Sequence, residues 1–234
     1  MSSPDNSANS ARVRPVAVLW SGGKDATVSL DVLAADEEVR VARLVTVVEE
    51  GTGVVRMHGT PRVLVEAQAD ALGIPLTVVR VPSGASNETY ERRMREALHP
   101  LRRSGIDTVA AADLFLDDIR AYRESVYREI GMKIIFPVWG RDTGELAATF
   151  LDRGYRAVVS SVDTTHLDAS FAGRAYDRSF LEDVPEGIDP CGENGEFHTF
   201  VTVGPGMEEG RIRVEVTGRE TEGRMCYARL QPSE

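Results

Sequence analysis

The sequence predicts an α/β layer fold built on a parallel sheet, and three observations carry that prediction. Short β-rich apolar runs alternate strictly with amphipathic stretches at helical spacing. The connections between them are short, as in βα units. A glycine-rich turn, Ser21-Gly22-Gly23, stands directly between the first apolar run and the first helical stretch. A chain of 234 residues allows one large domain or two small ones. At that length roughly 70–75% of the unfolded surface can be buried, so no metal or disulfide staple is needed.

Taken in order, Val16–Trp20 is a continuous apolar run, which fits a strand covered on both faces. Asp25–Ala35 places Val28, Val32 and Leu33 at helical spacing. Val39–Val48 is a second strand. Pro61 opens a helix that carries Leu64, Ala67, Gln68 and Ala71, and Gly73 stops it, the pattern of a proline at N1 and a glycine at C′. Ile74–Val81 is a third strand. Asn87 caps a helix to about His99, whose stripe is Tyr90, Met94, Ala97 and Leu98. Ile106–Ala112 is a fourth strand and Asp117–Gly131 a fourth helix. Beyond Met132 the rhythm changes. Ile134–Trp139, a helix near Thr143–Arg153 and a strand at Tyr155–Val162 either continue the sheet or open a second unit. Glycine-rich and acidic loops follow, then strands at Phe197–Val203 and Ile212–Val216 and a hairpin at Arg219–Arg229. We divide the chain into a disordered tail, 1–12, a first domain, 13–131, and a second, 132–234.

Composition narrows the function. The formal charge of −10 argues against broad nucleic-acid binding. No apolar run reaches about 18 residues, so no membrane span is expected, and the polar N-terminal stretch lacks the apolar core of a signal peptide. Cys191 and Cys226 are too far apart for a C-x-x-C pair, and the four histidines, at 58, 99, 166 and 198, show no zinc spacing. The expected location is the cytoplasm. Among 27 basic residues only Lys24 and Lys133 are lysines, which singles out Lys24 beside the glycine turn.

At the start of a helix, outward-facing N–H groups and the helix dipole favour an anion. Gly22 and Gly23 permit close backbone approach, and Lys24 adds a charge suited to phosphate. The Walker A spacing fails, because Val18 stands where it needs glycine and Asp25 where it needs Ser or Thr. On placement alone the turn is either a phosphate loop or a plain βα connection with a chance lysine. Farther on, Cys191-Gly192-Glu193-Asn194-Gly195-Glu196-Phe197-His198-Thr199-Phe200 packs polar and glycine residues into a segment that runs into a strand. It could grip a cation, an amine or a nucleotide edge, or be an acidic turn with Asn194-Gly195 at its tip.

Val18-Leu19-Trp20-Ser21-Gly22-Gly23-Lys24-Asp25 resembles the PP-loop of the ATP-pyrophosphatase superfamily, S-G-G-x-D-S, whose members cleave ATP between the α and β phosphates. Ala26 departs from it in place of the serine, which removes a hydroxyl contact and bears on rate more than on binding. The Cys191–Phe200 segment resembles the signature of the diphthine–ammonia ligase family. So do Met57-His58-Gly59-Thr60, Ala71–Leu76, and the run from Pro137 through Trp139, Gly140 and Asp142 to Glu145-Leu146. The matches run in order from about residue 16 to 206, and the arginine-rich usage suggests a bacterial-type member.

The resemblance implies an adenine-nucleotide-hydrolase-like α/β sandwich with a smaller C-terminal α+β domain that binds substrate. It also implies an amide ligase that adenylates a carboxylate, releases pyrophosphate and aminates the product with ammonia. In the family the carboxylate is diphthine, on elongation factor 2; in a bacterium a small-molecule acid is the expected acceptor. ATP and Mg2+ are the implied cofactors, ammonium the nitrogen source, and a homodimer is compatible. The candidate nucleotide site is Ser21, Gly22, Gly23, Lys24, Asp25, Thr27 and His58, with Asp25 also on the metal. Glu193, Glu196 and Asp113 are the catalytic candidates. Asp118, Arg120, Asn194 and His198 are the substrate-binding ones, and Cys191 reads as a small turn residue. The competing readings are a nucleotide sensor, suggested by Ala26, and a tRNA-modifying PP-loop enzyme. The latter would favour basic patches or C-x-x-C cysteines, which the sequence lacks.

Overall fold

The computed structural model describes residues 13–207 and 212–233; the expected tail over 1–12 lies outside them. Five parallel strands make the first sheet: β1 (Arg14–Leu19), β2 (Val39–Glu49), β5 (Leu76–Val81), β6 (Thr108–Ala110) and β7 (Lys133–Ile135). Their order is β5-β2-β1-β6-β7. A small antiparallel hairpin, β3 (Val54–Val55) and β4 (Thr60–Pro61), extends β2 past the end of β1. Helices α1 (Lys24–Ala34), α2 (Arg62–Leu72), α3 (Asn87–Arg103) and α4 (Asp117–Ile130) connect the strands.

The boundaries follow local chemistry. Gly73 and Gly131 end α2 and α4 in the left-handed conformation that glycine tolerates best. Pro61 sits at the N-cap of α2, one residue ahead of the expected N1. Ser86, not Asn87, caps α3, its Oγ accepting from Thr89 N–H. The same helix runs past His99 and through Pro100 to Arg103, because burial of Leu98 and Leu101 outweighs the missing N–H near its end.

α5 (Thr143–Asp152) leads to an antiparallel sheet formed by β8 (Arg156–Asp163), β9 (Ala175–Tyr176), β10 (Phe197–Val203), β11 (Val214–Glu222) and β12 (Met225–Pro232). Its path is β10-β8-β12-β11, with the short β9 also on β8. A 3-10 turn (Ala169–Phe171) and α6 (Arg178–Asp183) lie in the stretch read from sequence as loop. The architecture is therefore the expected α/β sandwich followed by a smaller α+β unit. One face of the parallel sheet packs on α3 and α4 through Met94, Leu98, Val126, Tyr127 and Ile130. The other packs on α1 and α2, whose apolar cluster continues without a break into Phe150, Phe180, Phe197 and Phe200. Each side chain that leaves water in this core contributes about 1.5–3 kcal/mol, so the two units share one core at the carboxyl end of the parallel sheet.

Candidate active site

The strand order reverses direction between β1 and β6, and the crevice outside their carboxyl ends is where such sheets bind ligands. Ser21–Asp25 follows β1, and Asp113 and Leu114 follow β6. The signature segment arrives from the second sheet and closes over both.

The glycine turn is held from below. Gly22 has φ +80°, and a Cβ there would meet Gln68 Oε1 at 2.6 Å, so only glycine fits. The Gly22 carbonyl accepts from Val201 N–H at 2.8 Å and from Gln68 Nε2 at 3.1 Å. Gly23 N–H meets Ser21 Oγ at 3.3 Å, and Lys24 N–H donates to Thr199 Oγ1 at 3.1 Å. The N–H groups of Asp25 and Ala26 have no acceptor among the described residues. Those free donors and the dipole of α1 suit an anion.

The lysine lies elsewhere. Lys24 is 1% exposed. Its Nζ donates to the Cys191 carbonyl and to Asp25 Oδ2, and lies 5.3 Å from the centre of the Phe197 ring. Burial alone would lower its pKa, but Asp25 above all holds the ammonium higher than its ordinary value. Asp25 keeps its other oxygen, Oδ1, buried and without a partner among the described residues. Thr27 is fully buried, and its hydroxyl donates to the Gly23 carbonyl at 2.9 Å.

The signature segment is a set of turns fixed by side chains. Asp189 Oδ1 accepts from Cys191 N–H and Glu193 N–H at 2.8 and 3.2 Å. Cys191 is buried, its thiol pushed up in pKa by that burial, and Sγ–H faces the Thr143 carbonyl. It is therefore a neutral thiol filling a turn. Glu193 crosses the crevice to accept from Leu114 N–H at 2.7 Å. Burial raises its carboxyl to about 7, and the charges of Asp25 and Asp113 add to the rise while the Leu114 bond opposes it. Glu196 is buried; Oε1 accepts from Asp189 N–H and Asn194 Nδ2, and Oε2 has no partner among the described residues. The two glutamates therefore reach different partners. Asn194 itself is exposed.

On the rim, Asp113 Oδ2 lies 2.8 Å from Arg123 Nε, close enough for an ion pair but without hydrogen-bond alignment. Asp118 is exposed and caps its own turn at Ile119 N–H. Arg120 pairs with Glu124 at 2.8 Å and lays its guanidinium 4.7 Å from the centre of the Trp139 ring. His58, between β3 and β4, faces His198 of β10 with ring centres 4.3 Å apart. His58 Cε1 would be 3.5 Å from a Cβ on Gly23. Burial and the nearby Lys24 charge push both pKa values down, His198 to about 4, and the His198 ring further lowers that of His58. Both rings are neutral near pH 7, with His58 Nδ1 and His198 Nε2 unpartnered among the described residues.

Sequence reasoning missed Gln68, Asp189 and Thr199 as parts of the site. An amide inside the apolar stripe of α2 was the available signal for Gln68. Nothing local marks the other two, whose partners stand 175 residues away for Thr199 and within the loop's own turns for Asp189.

Two family models match the chain in sequence: the diphthamide synthase N-terminal domain over residues 14–134 and the diphthamide synthase C-terminal domain over 142–231. No curated protein matches it. Among solved structures the chain is similar to the U34-tRNA thiolase NcsA from Methanococcus maripaludis with its [4Fe-4S] cluster. The identity there is 15% and the TM-score 0.39, over 61% of this chain and 58% of that one. Among the described residues no helix is long and apolar enough to cross a membrane, and no three His, Cys, Asp or Glu side chains group as a metal site. With a glycine turn at the sheet's switch point and both domain models in order along it, the chain belongs to the diphthamide synthase (diphthine–ammonia ligase) family of ATP-utilising PP-loop enzymes.

Proposed function

We propose that the protein is an ATP-dependent amide ligase that adenylates a carboxylate and aminates it with ammonia. The observation that carries this reading is Glu193. It is a carboxylate with a pKa of about 7 that spans from the signature segment to Leu114 and feels the charge of Asp25 in the glycine turn. A group titrating there suits a general base at neutral pH.

In this reading the triphosphate lies over Ser21–Asp25. A carboxylate oxygen of the acceptor attacks the α phosphorus, and pyrophosphate leaves. Ammonia then attacks the acyl carbon, AMP leaves, and Glu193 takes the proton lost by nitrogen. Glu196 offers Oε2, buried and without a partner, to an ammonium ion. Asp113 acts through charge, helping to keep Glu193 basic. Arg120, flattened against Trp139, suits the acceptor carboxylate. Asp25 Oδ1 fits Mg2+, which takes one or two carboxylates with phosphate and water and, when bound, offsets charge on the phosphates.

The test is pyrophosphate release from ATP with ammonium and a panel of carboxylic acids, with amide and AMP measured in the same samples. The reading expects one acid to give pyrophosphate, AMP and amide in equal amounts. ATP that turns over without amide under any acid would sink it.

A further inference from the structure

Gln68 sits in the middle of α2, is fully buried, and uses every polar atom of its side chain. Oε1 accepts from Trp20 Nε1–H at 3.0 Å, and Nε2 donates to the carbonyls of Gly22 at 3.1 Å and Val201 at 2.7 Å. One amide therefore joins the residue after β1, the glycine turn and β10 of the second sheet. We propose that Gln68 is a positioning residue that orients the Gly22–Gly23 peptide and so aims the loop's N–H groups at the phosphates of ATP.

The argument is one of peptide geometry. The Gly22 carbonyl is drawn inward by two donors, Gln68 Nε2 and Val201 N–H. In a trans peptide the C=O and the following N–H point in opposite directions, and among the described residues there is no cis bond. Fixing the carbonyl inward therefore fixes Gly23 N–H on the opposite side, where it meets Ser21 Oγ, and sets the backbone that leads into the free N–H groups of Asp25 and Ala26 at the start of α1. Gly22 at φ +80° would otherwise be the loosest residue of the loop. Its missing side chain and the Gln68 amide are one arrangement, since a Cβ would occupy the oxygen's place. The buried network has no unsatisfied atom on Gln68, and such networks hold a single geometry. Val201 enters it from the second sheet, so the phosphate loop is completed only when both units are docked.

This inference rests on the reading of the loop as an ATP site, and the experiment separates the two. Binding of ATP and of adenosine is measured by calorimetry, adenosine by competition where needed, for the wild type, Gln68→Leu and Gln68→Glu. Melting temperature identifies variants that stay folded. Gln68→Leu loses all three hydrogen bonds of the side chain; the two donated by Nε2 hold the loop to β10, and at about 1 kcal/mol each their loss predicts a Kd for ATP raised roughly 10- to 30-fold. Adenosine, which has no phosphate, should bind all three proteins alike. Gln68→Glu keeps the shape but aims a carboxylate at two carbonyl oxygens; only its protonated form can donate, so its ATP affinity should improve as pH falls while that of the wild type does not follow. That pH response keeps the proposal testable if Gln68→Leu does not fold. Equal losses for ATP and adenosine, or a Gln68→Glu affinity with no pH dependence of its own, would overturn the positioning role and leave the ATP reading standing. A folded wild type that does not bind ATP would overturn both.

Discussion

Two glycine-bearing loops meet in the crevice, and they solve opposite problems. In the Ser21–Asp25 turn the cationic side chain is buried against the neighbouring loop, and backbone N–H groups are left free at the start of α1. In the Asp189–Glu196 loop backbone donors are consumed by Asp189 and by short turns, and carboxylate oxygens are left over on Glu193 and Glu196. One loop leaves positive backbone dipoles uncovered, which suit an anion; the other leaves carboxylates uncovered, which suit a cation or a proton. Lys24 ties them together, so its charge organises the site from inside. A motif's residue types do not settle which atoms face the ligand.

The largest test of that contrast lies in the acidic loop. Glu193→Gln removes the proton acceptor while keeping an oxygen for Leu114 N–H, so ATP binding and acyl-adenylate formation should persist. Amide yield should fall by about 10²–10⁴-fold, the scale for losing a general base. Single-turnover assays of adenylate and amide measure the two stages, and equal loss in both would mean that Glu193 serves the nucleotide instead. In Glu196→Gln the remedy is diagnostic. Added ammonium should restore the rate if Oε2 only holds the ion.

Much of this was legible in the sequence because it is local. Strand and helix alternation, the Gly73 and Gly131 stops, and both loops could be read within windows of a few residues. What stayed hidden depends on tertiary partners. Lys24 looked like a phosphate ligand because nothing near it announces the Cys191 carbonyl, which is 167 residues away. Thr27 looked available until its hydroxyl was seen on the Gly23 carbonyl. Gln68 passed as one position in a helix stripe because its three partners come from three segments. The turns of β3–β4 and α6 escaped because two- to six-residue elements have too little periodicity to detect.

Within the acidic loop, its two glycines should separate cleanly. Gly192 has φ +68°, and a Cβ there would lie 2.5 Å from the Phe197 carbonyl oxygen, whereas Gly195 has φ +89° and nothing within 4 Å. Gly192→Ala combines left-handed strain with a backbone clash and should cost about 2–5 kcal/mol. Gly195→Ala meets only the strain, about 1–2 kcal/mol. Denaturant unfolding measures both, and similar values would show that the loop yields at Gly192 as easily as at its open tip.

The His58–His198 pair and the acidic loop also differ in their response to pH. His198 titrates at about 4 when folded against an ordinary 6.5, and His58 shifts the same way. Between those values the unfolded chain binds protons that the folded chain does not, so this contribution is present above 6.5 and lost as pH falls toward 4. Glu193 has the reverse sign. Its folded value of about 7 exceeds the ordinary 4.5, so its contribution is present below 4.5 and lost as pH rises through 7. Melting temperatures across that range should show His198→Gln flattening the loss in acid and Glu193→Gln flattening the loss toward neutral pH. Unchanged slopes would mean that neither group is shifted as the fold implies.

The smallest expected effect concerns the one residue at which the glycine turn departs from the superfamily pattern. Ala26 is buried in the first turn of α1, next to the free N–H groups. Thr27 cannot supply the missing hydroxyl, because its own is committed to the Gly23 carbonyl and fully buried. Ala26→Ser therefore adds a donor where the loop has only backbone to offer. One added hydrogen bond is worth about 1 kcal/mol at most once its desolvation is counted, which corresponds to a rate gain of no more than about fivefold. The gain should appear in adenylation rate, measured by pyrophosphate release, with the Kd for ATP little changed, because in the proposed reading the loop's N–H groups already hold the phosphates. A tighter Kd with no gain in rate would place the hydroxyl on the ground state and assign catalysis in this turn to its backbone alone.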